Sequence, residues 1–167
     1  MANTSFDTVI SAFLRQVESD IKFFDYPGMT PESSLDIAKE RAQNYLIESC
    51  SIIMALYPAI SVDFTDYDIE SREFSFQLSN REITVLALIM CERHMARDIM
   101  KLKLESVNYS SNDVRAYSPD NWRTSFMNMY DTLHARNMAV LDGYANTDRQ
   151  EGGYMEVDYS LYDTSEE

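Results

Sequence analysis

Four stretches of apolar residues at helical spacing, each opened or closed by its own punctuation, constrain this chain more than any other feature. Thr30-Pro31-Glu32 and Ser118-Pro119-Asp120 repeat one order: a capping hydroxyl, a proline at the first helical position, then an acid near the positive end of the helix dipole. Ser79-Asn80-Arg81-Glu82 is a capping box, in which Ser and Glu satisfy each other's free amides. Thr4, with Asp7 three residues on, reads as a cap for a first helix. These signals predict helices over about 5–24, 31–57, 80–105 and 119–143. Pro27-Gly28 closes the first, Pro58 the second and Gly143 the last.

Each stretch carries an inward stripe. In the first it is Phe6, Val9, Ile10, Phe13, Val17, Ile21 and Phe24. Leu35, Ala38, Ala42, Tyr45, Leu46, Ser49, Ile53 and Leu56 mark the second. The third places Ile83, Leu86, Ala87, Met90, His94 and Arg97 on one face, and its first half is apolar nearly all round. A helix apolar on every side is covered on every side, so this one is expected at the centre of a bundle. Trp122, Phe126, Met129, Leu133, Val140 and Tyr144 form the last stripe. The expectation is an all-α fold: a four-helix bundle over 1–144, with a long link between its second and third helices, followed by an extended acidic tail over 145–167. A chain of 167 residues is long enough for one domain with a real core.

The link and the tail depart from the helical pattern. The link, 59–78, is acidic and aromatic and longer than bundle connections usually are. Phe74, Phe76 and Leu78 alternate with polar residues there, which predicts one short strand or extended segment. In the tail a Gly152-Gly153 break precedes Val157, Tyr159 and Leu161 alternating with Asp158 and Ser160, a strand period. A terminal strand without a partner leaves its backbone donors and acceptors unpaired and gains by adding to the edge of another sheet. The other reading is an acidic terminus that pairs with nothing, and the residues alone leave both open. Tyrosine gathers in these two regions (Tyr67, Tyr154, Tyr159, Tyr162), and tyrosine suits surfaces with one side buried and one side wet. The candidate partner-binding residues are therefore Tyr154, Val157, Tyr159, Leu161 and Tyr162 in the tail, and Phe64, Tyr67, Phe74 and Phe76 in the link.

Composition excludes several functions. A net charge of −14 repels a phosphate backbone, so reading DNA is disfavoured, while standing beside DNA without sticking, or imitating it, is compatible. Two cysteines, Cys50 and Cys91, make neither a disulfide framework nor a metal set and read as buried thiols. MANTSFDTVI has no basic region before an apolar run, and 83–91 is too short to span a bilayer, which predicts a soluble protein of a reducing compartment. There is no phosphate loop, no G-x-S-x-G and no C-x-x-C. Asp131-x-x-His134 spaces a carboxylate and an imidazole by one turn, but the second such pair of a di-iron bundle is missing, so His134 reads as a surface or half-buried residue. No nucleophile, base and oxyanion group converge, and neither an enzyme nor a cofactor is expected. Glu40, Glu48, Glu92 and Asp98 read as solvated helix positions, and Glu82 as a cap. Methionines Met90, Met95, Met100, Met127, Met129 and Met138 read as core filling.

Residues 78–144 resemble the head–tail adaptor (connector) proteins of long-tailed bacteriophages. The likeness rests on LSNREITVLALIMCERHMARDI, with Leu78-Ser79-x-Arg81-Glu82 opening an apolar helix. It continues in SSNDVRAYSPDNW, with Tyr117-Ser118-Pro119 opening the last helix, and in VLDGY ending at Tyr144. It covers roughly 70 of 167 residues. The resemblance implies a virion protein that assembles as a homo-oligomeric ring, commonly of twelve copies, beneath the portal protein. Such a ring extends the DNA channel and meets a tail-side stopper or neck protein. It implies a C-terminal segment that reaches into the portal or a neighbouring subunit, DNA that passes without specific binding, no membrane, and a location in the virion neck after assembly in the host cytoplasm. An acidic channel wall would keep DNA from adhering. The alternative is a phage-encoded acidic inhibitor, a DNA mimic whose carboxylates occupy a host DNA-binding protein.

Overall fold

The computed structural model describes residues 3–18, 21–58, 60–108, 119–149 and 152–155. The chain order is α1 (Phe6–Gln16), α2 (Ile21–Phe24), α3 (Pro31–Leu56), β1 (Tyr67–Asp68), β2 (Glu73–Phe74), α4 (Asn80–Asn108) and α5 (Pro119–Ala145). The protein is mostly helical with a small two-stranded sheet. α1, α3 and α4 pack against one another, and α5 packs on α4. α4 is thus the element all the long helices share, as its all-round apolar first half requires.

The caps predicted at Thr30 and Ser79 form, while Ser118, expected to cap the last helix, lies outside the described residues. Thr30 Oγ1 accepts from the Ser33 amide at 3.2 Å, with Pro31 opening α3. The Glu82 amide donates to Ser79 Oγ at 3.3 Å and the Ser79 amide to Glu82 Oε2 at 2.6 Å. The first cap is shifted by one residue. Ser5, not Thr4, caps α1 by accepting from the Asp7 amide. Thr4 is needed elsewhere: its carbonyl accepts from the Phe74 amide, its amide donates to the Phe76 carbonyl, and its Oγ1 accepts from the Leu78 amide at 2.8 Å. A buried backbone group must find a partner, and here the sheet claims it.

The predicted first helix is broken. α1 ends at Gln16 and the chain resumes as α2. Phe13 and Phe23 would lie about 15 Å apart along one continuous helix, yet their ring centroids are 5.5 Å apart. The break folds Phe23 back beneath α1, where it meets Tyr45 and His94 as well. α5 runs two residues past the expected stop at Gly143, because the Gly143 carbonyl finds acceptor duty with Arg81 Nη2 at 2.9 Å and Thr147 Oγ1.

The link is a hairpin, not a single strand. Tyr67 pairs with Phe74 and Asp68 with Glu73, and Ser5 bridges Glu73 on the other edge. Arg72, at φ 57, occupies the left-handed region at the end of the turn, and its carbonyl accepts from the Phe6 amide at 2.9 Å. The hairpin therefore straps the start of α1. Its aromatic side faces inward: Phe6 lies 5.2 Å from Phe74 and 5.6 Å from Tyr67, while Phe64 lies 6.2 Å from Tyr144 of α5. Of the methionines, Met90 is buried, whereas Met100, Met127 and Met129 are exposed, so core filling describes only part of that group. Among the described residues no helix is long and apolar enough to cross a membrane.

Candidate docking site

The tail begins at a polar node on the first turn of α4. Glu82 is completely buried. Beside its capping bond it accepts from Tyr144 Oη at 2.7 Å and from Arg149 Nε at 2.7 Å and Nη2 at 3.2 Å. Burial works to raise this carboxyl, but the bonds from Arg149, the Ser79 amide and Tyr144 outweigh it and hold Glu82 below the usual carboxylate range. Burial and the neighbouring Glu82 push the Tyr144 phenol up, so it stays a donor. Arg149 also donates to the Gln77 carbonyl at 2.6 Å and lies over the Phe76 ring. One guanidinium thus joins the tail to α4 and to the link.

Arg149 sits in a turn. Thr147 and Tyr154 form an antiparallel bridge, the Asp148 amide donates to the Gly153 carbonyl at 2.8 Å and the Met155 amide to the Asn146 carbonyl at 3.0 Å. Gly152 closes the turn at φ +69, a conformation side chains disfavour. Arg81 Nη2 reaches Thr147 Oγ1 at 3.3 Å, fastening the near arm of this root hairpin. The far arm faces outward: Tyr154 is 84% exposed and Met155 50%. The tail does not start free at residue 145; 145–149 are fastened to the helical body and 152–155 return along them. A shallow cleft of about 610 Å³ lies beside the root, lined by Asn3, Ser75–Ser79 and Arg149.

A second buried acid holds the middle of α5. Glu92 is 1% exposed, not solvated as its helix position suggested. Its carboxylate accepts from Arg93 Nη2 at 2.8 Å and Asn137 Nδ2 at 3.1 Å, and lies 2.9 Å from His134 Nδ1. Asn137 also donates to the Leu88 carbonyl. Burial opposes the charge here too, and the bonds from His134, Asn137 and Arg93 prevail, keeping Glu92 below the usual range. His134 stacks on Tyr130 and is half-exposed, as expected. The inward line of α5 is accordingly Tyr130, Leu133, Asn137, Leu141 and Tyr144, while Met129 and Val140 of the expected stripe sit at its exposed flank. The stripe is rotated because Glu92 recruits polar residues inward. Glu48, also expected to be solvated, is half-buried and paired with Arg97.

The candidate partner residues divide. Phe64 and Phe74 are completely buried and serve the core, so they are not available to a partner. Tyr67 and Phe76 are half-buried against the same core. Tyr154 is displayed to solvent. Val157, Tyr159, Leu161 and Tyr162 lie outside the described residues. Sequence reasoning missed Arg149; its signal is that it is the single cation in 145–167. The cysteines are inert thiols: burial pushes Cys50 and Cys91 each up to about 12. Among the described residues no cluster of His, Cys, Asp and Glu could hold a metal ion.

No family model, curated protein or solved structure matches this chain.

Proposed function

We propose that this protein is a structural connector that joins other polypeptides by its C-terminal tail, in the manner of the phage head–tail adaptors that residues 78–144 resemble. In this reading the four long helices act as one bundle that serves as a rigid body. Copies stand side by side in a ring, of twelve in the adaptor pattern, under a portal and above a stopper or neck protein. DNA passes through without binding, since the net charge of −14 opposes phosphate. No catalytic step belongs to it.

One observation carries the reading. The tail root is a fixed hairpin on the body, with Tyr154 and Met155 turned outward and residues 156–167 continuing from it. A rigid root lowers the entropy lost when a tail docks. Among the described residues the root's hydrogen bonds end at Met155, so a cut after that residue leaves those bonds whole.

The test is removal of residues 156–167, followed by measurement of the mass of the assembled species and of its joining to the portal ring. The expected result is a folded chain that no longer joins. A shortened chain that still joins at full strength contradicts the reading. A full-length chain that stays monomeric and binds a basic DNA-binding protein instead supports the DNA-mimic alternative.

A further inference from the structure

Arg149 is an unusual residue for a docking tail. It is the only cation among residues 145–167, and its charge is spent inward, on a carboxylate with no solvent exposure. It makes three separate kinds of contact at once: a two-nitrogen grip on Glu82, a bond to the Gln77 carbonyl and a stack over Phe76. Those partners belong to the first turn of α4 and the segment leading from β2 into it. The residue itself occupies the turn of the root hairpin, with Thr147 and Asp148 before it and Gly152 to Met155 after it. A planar guanidinium with two donors on one carboxylate fixes orientation as well as position, which a lysine cannot do.

From this geometry we propose that Arg149 is a positioning residue. It sets the direction in which the tail leaves the body and so presents Tyr154 and Met155 at one defined place. The inference rests on the tail-docking reading and gives it a mechanism. A hairpin joined to the body only through the end of α5 could pivot about residues 145–146. The Glu82–Arg149 contact supplies a second anchor, and Arg81 on Thr147 lies between the two. Two anchors on one short hairpin remove the pivot. The antiparallel pairing of 153–155 with 146–148 turns the outward arm back toward the end of α5, away from Arg149. The outward arm is preorganised for a partner, and the ordering cost is met before the encounter.

Removing Arg149 alone would leave Glu82 buried and unpaired, which destabilises the fold and obscures the test. The double variant Glu82→Gln with Arg149→Gln avoids this, because glutamine at the third helical position still serves the capping box. Spin labels on Asn44→Cys, an exposed position of α3, and Met155→Cys report the position of the root relative to the body, with Cys91→Ser removing the half-buried native thiol and buried Cys50 left in place. The intact chain is expected to give one narrow distance population, the double variant a broad one, and Arg149→Lys with Glu82 retained an intermediate width. The thermal midpoint of the body should move little in the double variant, while joining weakens about tenfold or more. A distance population that stays equally narrow in the double variant, or is already broad in the intact chain, overturns the proposal. The distances are read on the isolated chain, so a narrow-to-broad change upholds the positioning role even if cutting off residues 156–167 has no effect on joining. That second result would count against the connector reading alone.

Discussion

The two sides of α4 are built on different chemistry. Toward α1 and α3 it presents Leu86, Ala87 and Met90, all buried, and a ring cluster in which His94 meets Phe13, Phe23 and Tyr45. Toward α5 it presents two buried carboxylates, Glu82 and Glu92, each accepting from α5 or the tail root beside one local donor, the Ser79 amide or Arg93. The first side is held by area removed from water, which is tolerant of direction. The second is held by directional bonds to groups that are costly to leave unpaired. The lesson is one of division of labour. The apolar side makes the body, and the polar side decides where α5 and the tail root sit on it.

Substitutions should separate the two sides. The largest effect is expected on the apolar side: Phe13→Ala removes a fully buried ring that packs on Phe23, Tyr45 and His94, and should cost about 3–5 kcal/mol in the chemical denaturation of the whole chain. Next comes the polar side. Asn137→Ala strips Glu92 of one donor and the Leu88 carbonyl of its side-chain partner, at roughly 1–3 kcal/mol. Amides of α5 should lose protection first, whereas equal loss throughout the chain would erase the distinction between the sides.

Acid should act on the same side. Glu82 and Glu92 have folded pKa values below the unfolded value of about 4.3. Their contribution is therefore fully present above that pH and lost as pH falls through the lower folded values. A pH titration followed by exchange or near-ultraviolet dichroism should show α5 and the tail root loosening below about pH 4, ahead of the α1–α3–α4 body. The smallest change is expected at Arg72→Gly. Relief of the left-handed backbone there offsets loss of the exposed Asp7 pair, leaving stability within about 1 kcal/mol of the parent in urea titration.

Much of the body was legible because its signals are local. The caps at Thr30 and Ser79 and the proline at 31 act within a few residues, and α3 and α4 start where those residues say. The break between α1 and α2 was not legible, since the stripe from Phe6 to Phe24 is continuous and only packing of Phe23 beneath Phe13 shows the turn. The link's period-two pattern foretold an extended segment at Phe74 but not its partners, because Tyr67 and Ser5 are matched by long-range pairing. Burial of Glu92 ran against the rule that helix carboxylates face water, and it was hidden because its donors, His134 and Asn137, sit some forty residues away on another helix. The tail's strand period begins at Val157, while the contact that fixes the tail root lies earlier, at Arg149. A single cation in an acidic segment was the only trace it left in the sequence.

Native-state hydrogen exchange, resolved by residue at neutral pH, tests the split most directly. The account predicts two tiers: amides in the packed parts of α1, α3 and α4 open only with global unfolding, and those of α5 and of Asp148 and Met155 open together at a lower free energy. One common opening free energy across all of these amides would contradict it, as would a tail root that exchanges freely while α5 stays closed.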